Sequence, residues 1–269
     1  MKMKIEEVVK ELEEGVVSLY ESDKYKAYLE FMGRFHNYSA NNCILIFLQM
    51  PTASLVAGYQ TWAKQNRQVR KGEKGLRILA PVPHKIMVKK IHADGREEEE
   101  ERTWNSFRPV SVFDISQTDG EAIPEICEEL KGDVKDYENL LEKVVKCSPV
   151  PVKYEEIKSG AKGYFSDIEH KIVIQKGMSE EQTLKTLIHE VAHSLLHGKD
   201  GEESEATRSE KEVQAESVSY TVCTMLGIDT SDYSFGYIAS WGSKDVKELC
   251  KSMEVIRKTA DKIIKEVAA

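Results

Sequence analysis

The feature that most constrains this chain is the segment His189-Glu190-Val191-Ala192-His193, which places two histidines four residues apart. Side chains four apart share one face of a helix, so both imidazoles can approach a single metal ion. Apolar residues recur around them at helical spacing, and Ser179 and Gly198 are typical residues for the start and the end of a helix. The sequence therefore predicts a buried helix that carries a metal site, with Glu190 as the general base.

A carboxylate further along the chain can complete such a site. Catalytic zinc commonly has two histidines and one carboxylate as protein ligands. Glu212 and Glu216 lie one helical turn apart on a second predicted helix, Ser209 to Leu226. From the residues alone either glutamate can be the ligand, and both can equally be solvated charges of an acidic helix.

The spacing resembles that of the gluzincins, as in thermolysin. The resemblance implies one Zn²⁺ ion bound by His189, His193 and Glu212, with Glu216 supporting a ligand histidine from outside, His189 being the expected one. His197 continues the same helical face. A helix rarely directs three successive turns at one ion, so the pattern favours a polar group near the helix end over a further ligand.

Composition limits where the protein works. Of the 269 residues, 41% are apolar and 31% charged, which is typical of a globular protein. The longest apolar run, Cys43 to Leu48, is too short to cross a membrane. Five widely spaced cysteines without a CxxC pair indicate reduced thiols, so a cytoplasmic protein without membrane contact is predicted.

The N-terminal half departs from the overall net charge of −8. From Lys64 to Lys90 nine lysines and arginines accompany one acid, Glu73. Several aromatic residues occur nearby in the sequence, namely Tyr38, Tyr59, Trp62, Trp104 and Phe107. Positive charge interleaved with rings is typical of single-stranded nucleic-acid binding. A solvated face with Trp62 in the core fits this pattern equally well.

Four segments resemble the N-terminal domain of ArdC-type antirestriction proteins: Tyr38 to Asn42, Ala57 to Trp62, Val69 to Gly75, and Val112 to Thr118. The metal motif, Leu226 to Ile228 and Tyr237 to Trp241 then follow in the order typical of that family. The resemblance implies a single-stranded-DNA-binding domain joined to a zincin-like metallopeptidase domain, in a protein that protects mobile DNA from host restriction. The run Glu97 to Glu101, expected at a hairpin tip after Asp94-Gly95, departs from a basic surface.

Together, the basic block and the resemblance predict nine nucleic-acid-binding residues: Tyr38, Asn41, Asn42, Trp62, Arg67, Arg70, Lys71, Lys74 and Arg77.

The predicted fold class is α+β. Residues 1–120 are expected to form a helix-flanked antiparallel sheet domain that binds single-stranded DNA, and residues 121–269 a zincin-like metallopeptidase domain, with a boundary near Thr118 to Pro124. The predicted helices span residues 3–31, 41–50, 54–65, 137–147 and 244–267, beside the two site helices. The predicted strands span residues 76–82, 86–92, 99–107 and 110–115, and a hairpin of residues 163–165 and 171–175 leads into the motif helix.

The function predicted is a zinc peptidase, acting on an unknown protein or peptide, joined to a DNA-binding domain. One alternative is a protein that coats single-stranded DNA and protects it without proteolysis. Another is a protease that cleaves a repressor, as ImmA/IrrE-type zincins do. Tyr233 and Tyr237 are candidates for a second group that stabilises an oxyanion, although a tyrosine there is more often a core residue.

Overall fold

The computed structural model describes residues 4–19, 22–35, 37–91, 97–121, 137–231, 233, 235 and 245–269. The helices are α1 (Ile5–Leu19), α2 (Ser22–Arg34), α3 (Ala40–Gln49), α4 (Tyr59–Lys64), α5 (Tyr137–Cys147), α6 (Glu180–His197), α7 (Arg208–Met225) and α8 (Val246–Ala268). The strands are β1 (Val56–Ala57), β2 (Arg67–Val69), β3 (Leu76–Ile91), β4 (Glu97–Asp114), β5 (Thr118–Gly120), β6 (Val152–Glu155), β7 (Gly163–Ser166) and β8 (Lys171–Gln175). Helices and antiparallel sheets together confirm the α+β class.

The predicted bounds of two N-terminal helices were wrong. The single helix expected over residues 3–31 is two helices that pack against each other, and Asp23 in the first turn of α2 favours a new helix start there. The helix expected over residues 54–65 begins only at Tyr59, because Val56 and Ala57 pair with β4 as a short strand.

The strands β3 and β4 form one long antiparallel hairpin in continuous register, where the sequence predicted four shorter strands. Pro109 lies at one of the predicted breaks and pairs with Leu79, and Pro81 pairs with Phe107 two positions along the ladder. At Leu79 the backbone N–H and C=O point away from β4 and bond to the Asn42 amide at 2.9 and 3.0 Å. Proline is tolerated at such outward positions, because the ladder needs no N–H donor there.

The C-terminal half places a sheet of order β6-β8-β7 beside the motif helix. Strands β7 and β8 are the predicted antiparallel hairpin, and β6 is an additional parallel neighbour of β8. Helix α6 begins as predicted at Ser179, whose hydroxyl accepts a hydrogen bond from the Gln182 N–H at 3.2 Å, and ends at His197 before Gly198.

The two predicted domains share one continuous hydrophobic core among the described residues. Helix α2 packs on α7, where the hydroxyls of Tyr25 and Ser217 lie 2.8 Å apart. The Ala40 N–H at the start of α3 donates to Glu254 of α8 at 2.6 Å. Residues 122–136, which include the last part of the predicted boundary, lie outside the described residues, so the division at residue 120 stays a prediction. Within the described part of the chain, no helix is long and apolar enough to span a membrane.

Candidate metal centre and basic region

Helix α6 brings the two motif histidines together on one face. The Nε2 atoms of His189 and His193 lie 3.1 Å apart. Glu212 of α7 reaches the same point, with Oε2 at 3.7 Å from His189 Nε2 and 3.6 Å from His193 Nε2. Ligand atoms about 2.0–2.1 Å from a tetrahedral zinc ion are roughly 3.3 Å apart. The three atoms therefore already have nearly the spacing that one bound divalent ion requires.

Glu216 lies one turn beyond Glu212 and on the other side of His189. Its Oε2 atom is 3.7 Å from His189 Nδ1, the ring nitrogen that faces away from Glu212. This placement matches the supporting role that the gluzincin resemblance implied for Glu216. Both glutamates are presented by a helix whose start is fixed by a capping box between Thr207 and Glu210.

The charges of this cluster stabilise one another. The adjacent imidazoles of His189 and His193 hold the pKa of Glu212 far below its usual range. Burial lowers the pKa of His189, but the adjacent carboxylates of Glu212, Glu190 and Glu216 outweigh burial, so that this pKa is raised. A divalent cation is compatible with the site, because it brings positive charge to the same carboxylates.

Glu190 lies beside the three candidate ligands, but its carboxylate is not one of the ligand groups that converge on the candidate metal position. Its side chain is 8% exposed, and burial raises the pKa of its carboxyl group even though the charges of both motif histidines and a hydrogen bond with the Phe165 backbone oppose the rise. A raised pKa brings a carboxyl group closer to the pH at which a general base acts best. The buried position of Glu190 beside the candidate ligands thus suits the general base that the sequence predicted.

The cleft around Glu190 has strand β7 as one wall. Gly163, His189 and Glu190 line the cleft on both sides of the candidate metal position. Gly163 allows β7 to approach α6 closely, since a Cβ atom there would lie 2.7 Å from the Thr186 methyl carbon. Strand β7 is the outer strand of its sheet, and in the described residues only β8 pairs with it.

Of the two tyrosines considered as oxyanion-stabilising groups, only Tyr233 is described, and its hydroxyl is bonded within the core. The Tyr233 ring lines the cleft, but its hydroxyl lies 2.8 Å from Ser219 Oγ inside the core. Burial also raises the pKa of this hydroxyl. The interpretation of Tyr233 as a core residue is therefore confirmed, while Tyr237 lies outside the described residues.

His197 has a more specific partner than the helix end that the sequence suggested. Its Nδ1 atom lies 2.9 Å from Nδ1 of His193, and its Nε2 atom lies 2.9 Å from Oε1 of Gln214. Burial lowers the pKa of His197 to about 4, so the ring is neutral near pH 7. The sequence analysis missed Gln214. The available signal was a polar amide on the apolar face of α7, directly after Val213.

Three residues predicted to bind nucleic acid make hydrogen bonds within the fold. Trp62 is fully buried and donates its indole N–H to the Phe113 carbonyl at 2.9 Å, so it offers no ring face to a base. This corrects its predicted stacking role, because burying the indole leaves only the core alternative. The Asn42 amide satisfies the outer edge of β3, and the Tyr38 hydroxyl donates to the Val56 carbonyl at 2.8 Å. Asn41, on the first turn of α3, is half-buried.

The predicted arginines are also engaged within the chain. Arg67 donates to the hydroxyl and carbonyl of Thr118 at 2.8 and 3.1 Å. Arg70 pairs with Glu73 at 2.9 Å and with Asp119 at 3.4 Å. Arg77 pairs with Glu11. These bonds fix the base of the hairpin, whereas Lys71 and Lys74 are exposed to solvent beside it.

The glutamate run lies opposite basic residues on the hairpin. In the strand register Lys89 faces Glu99 and Lys90 faces Glu98. Lys85 forms an ion pair with Glu101 at 2.8 Å. The tip expected at Asp94-Gly95 lies outside the described residues. The charge of Lys85, one of the basic residues counted in the sequence, is therefore paired with an acid of this second strand.

Exposed rings occur elsewhere on the same hairpin. Trp104 and Phe107 on β4 are each 52% exposed, and Tyr59, on α4 and not on the hairpin, is 59% exposed. The His84 ring stacks on Trp104 with ring centres 4.4 Å apart. Because alternate residues of a strand share a face, Trp104 shares one with the exposed Arg102 and Arg108. The three aromatic residues were noted in the sequence but were not among the predicted binding residues.

Residues 2–113 match a family model described as the N-terminal domain of the anti-restriction factor ArdC. Over these residues the chain is similar to the N-terminal domain of ArdC-type proteins. This match covers the N-terminal sheet with the long hairpin, and it ends before the metal cleft. The family expectation drawn from the four N-terminal segments is thus confirmed.

Solved structures of the antirestriction protein ArdC from plasmid R388 have a similar fold. The metal-free structure shares 20% identity at a TM-score of 0.55, and the comparison covers 86% of this chain and 85% of that one. The Mn(II)-bound structure shares 18% identity at the same TM-score and coverage. The likeness extends over most of this chain.

A curated relative is an uncharacterised protein of Bacillus anthracis, pXO2-81. It is 29% identical over an alignment of 280 positions, which covers 88% of this chain. The chain spans 46% of the length of that relative.

Proposed function

We propose that the chain is an antirestriction protein that joins a zinc-dependent peptidase site to a surface for single-stranded DNA. The observation that carries the proposal is the convergence of His189, His193 and Glu212 within one cleft, beside the buried Glu190. Two imidazoles and a carboxylate form a donor set that suits Zn²⁺, and the fourth position is left for a water molecule or a substrate. In this proposal residues 1–120 bind the DNA, and residues 121–269 bind and cleave the peptide.

The residues of the cleft have separate roles in this mechanism. His189, His193 and Glu212 would hold the ion. When bound, Zn²⁺ supplies activation of a water molecule and stabilisation of the charge on the carbonyl oxygen. Glu190 accepts a proton from the attacking water and returns it to the leaving amine. Its raised pKa supports the second step, because a buried carboxyl group retains the proton long enough to deliver it.

The protein or peptide substrate would lie along strand β7. An extended peptide can add to the outer edge of a sheet through main-chain hydrogen bonds. The edge of β7 borders the cleft at Gly163 and Phe165, and the Phe165 backbone is bonded to Glu190. This arrangement would align the scissile peptide bond with the proton acceptor.

The DNA surface we propose is the exposed face of the hairpin rather than the buried Trp62. Bases can stack on exposed aromatic side chains while neighbouring cations follow the phosphates. Trp104 supplies a ring that is more than half exposed, with Arg102 two residues before it and Arg108 four residues after it on the same strand. Lys71 and Lys74 extend the positive charge at the base of the hairpin.

The proposal is tested by comparing the full-length chain with its Glu190→Gln variant. Glutamine keeps the size of the side chain but cannot take a proton. We expect the variant to bind Zn²⁺ as the parent does, and to lose peptide cleavage by about 10²- to 10⁴-fold, the range for removal of a general base. Cleavage is measured by profiling peptides in cells that take up conjugated DNA. Cleavage retained by Glu190→Gln would contradict the assigned role.

The same pair separates the two modes of protection. Survival of transferred DNA against a restriction enzyme is scored for the parent, Glu190→Gln, and a Lys71→Glu/Lys74→Glu variant. Protection lost in Glu190→Gln supports a proteolytic mechanism. Protection that is unchanged there and lost in the lysine variant supports a protein that coats DNA without proteolysis. Cleavage of a repressor without any DNA binding would instead support the ImmA/IrrE-like alternative.

A further inference from the structure

The two ring nitrogens of His193 face different partners. Nε2 is directed at His189 and Glu212, where the candidate metal position lies. Nδ1 lies 2.9 Å from Nδ1 of His197. A neutral imidazole that binds a metal through one nitrogen carries its proton on the other. His193 therefore donates its Nδ1–H, and His197 must accept it.

The proton position on His197 follows from this acceptance. With Nδ1 as the acceptor, the proton of the neutral ring is on Nε2. That nitrogen lies 2.9 Å from Oε1 of Gln214, so it donates to the amide oxygen. The amide nitrogen of Gln214 donates in turn to Ser252 Oγ at 3.0 Å and to Glu203 at 3.4 Å. In each of these hydrogen bonds the donor is therefore the residue nearer to His193.

Packing holds this series of hydrogen bonds in one arrangement. His197 is 8% exposed and Gln214 is 2% exposed. Three helices contribute one residue each, since His197 is on α6, Gln214 on α7 and Ser252 on α8. Gln214 is also two residues from Glu212 on the same helix, so a single packing of α7 on α6 fixes both the candidate ligand and the hydrogen-bond partner.

We infer that His197 and Gln214 are positioning residues that hold His193 in the tautomer and orientation that bind the metal. The inference rests on the proposed metal site and adds two residues that do not touch the ion. A hydrogen-bond partner behind a ligand histidine fixes its ring and raises its basicity, and loss of such a partner commonly costs about 10- to 100-fold in metal affinity. Gln214 sets the direction, because its oxygen accepts only a proton on His197 Nε2.

The first test uses the unaltered full-length chain loaded with Zn²⁺. Nitrogen-15 NMR of the histidine rings reports which nitrogen of each ring carries the proton. We expect His197 to be neutral with its proton on Nε2, and His193 to bind zinc through Nε2 with its proton on Nδ1. A proton on His197 Nδ1 would overturn the inference. Absence of any zinc-bound histidine would instead remove the proposed metal site itself.

The second test compares two substitutions at one position. His197→Gln can still accept from His193 and donate to Gln214, whereas His197→Leu can do neither. Zinc affinity is measured by competition with a chromophoric chelator, and the absorption spectrum of bound Co²⁺ reports the ligand geometry. We expect zinc affinity to fall by about 10- to 100-fold in His197→Leu, the range for loss of such a hydrogen-bond partner. In His197→Gln it should fall by less than about threefold.

A control separates this role from general loss of a histidine. His170 is exposed in the turn between β7 and β8 with a positive φ of 47°, which asparagine tolerates. His170→Asn should leave the zinc affinity and the Co²⁺ spectrum unchanged. Equal zinc affinity in His197→Leu and the parent, with both chains folded by circular dichroism, would overturn the inference. If His197→Leu does not fold, two measurements still test the inference. These are the zinc affinity of His197→Gln and the proton positions that NMR finds in the parent.

Discussion

In the metal cleft, the side chains predicted as ligands lie within about 4 Å of one another, and their charges remain directed at a common point. In the basic region, Arg70 and Arg77 bond to acids of the same chain, and Trp62 is buried. Both regions carry dense charge in the sequence. The difference teaches that dense charge indicates a binding site where the fold directs several charged side chains at one point, and a structural role where each cation is paired with a separate acid.

The largest effect that can break this comparison is expected at the cleft. We predict that Glu212→Ala abolishes tight zinc binding, because a two-histidine site lacks the third protein ligand. Glu216→Ala should lower the affinity by about 10- to 100-fold only, as for a residue that supports a ligand from outside. Zinc competition titrations of both variants measure this. The reverse order would show that Glu216 is the ligand.

A second prediction concerns the aromatic residues of the N-terminal half. Trp62→Ala should lower the free energy of unfolding by about 3–5 kcal/mol, the range for removing a large buried side chain. Denaturant unfolding of the full chain measures this loss. Single-strand affinity of the fraction that remains folded should stay unchanged. Reduced affinity for single-stranded DNA without a loss of stability would show that Trp62 is part of the binding surface.

Trp104→Ala is the matched change on the exposed hairpin face. The loss of base stacking should weaken single-strand binding by about 1–3 kcal/mol, with little change in the free energy of unfolding because the ring is 52% exposed. Fluorescence anisotropy with an oligothymidine strand measures the affinity, and Trp104→Phe serves as the control that keeps a ring. Unchanged affinity in Trp104→Ala would exclude this face as the DNA surface.

The smallest effect is expected at the edge of the sheet. Asn42→Ala removes both bonds to the Leu79 backbone and should destabilise the chain by about 1–3 kcal/mol, the cost of leaving such groups unsatisfied. Its single-strand affinity should equal that of the parent. A selective loss of DNA binding would contradict the structural role of this amide.

The sequence predicted the cleft well because its signals are local. Four-residue spacing on one helix fixes the relation of His189 to His193, and Ser179 fixes where that helix begins. The partner of His197 was not predictable from local spacing, because Gln214 reaches it only through the packing of α7 on α6.

The hairpin was divided wrongly for a related reason. The predicted break over residues 108–109 falls at Pro109, and only the cross-strand register shows that this position needs no N–H donor. The same register pairs the positions of Glu98 and Glu99 with those of two lysines. The residues that pair across two strands are fixed by the register of those strands, so counting charges along the chain could not reveal them.

The central claim, that the cleft is a metal site made of two histidines and one glutamate, is tested most directly by X-ray absorption at the zinc edge on the full-length chain. The account predicts one tightly bound zinc per chain with two imidazole ligands at about 2.0–2.1 Å, oxygen ligands at about 2.0–2.2 Å and no sulfur. Glu212→Ala should lose this signal. A zinc–sulfur distance of about 2.3 Å, or retention of the spectrum in Glu212→Ala, would contradict the claim.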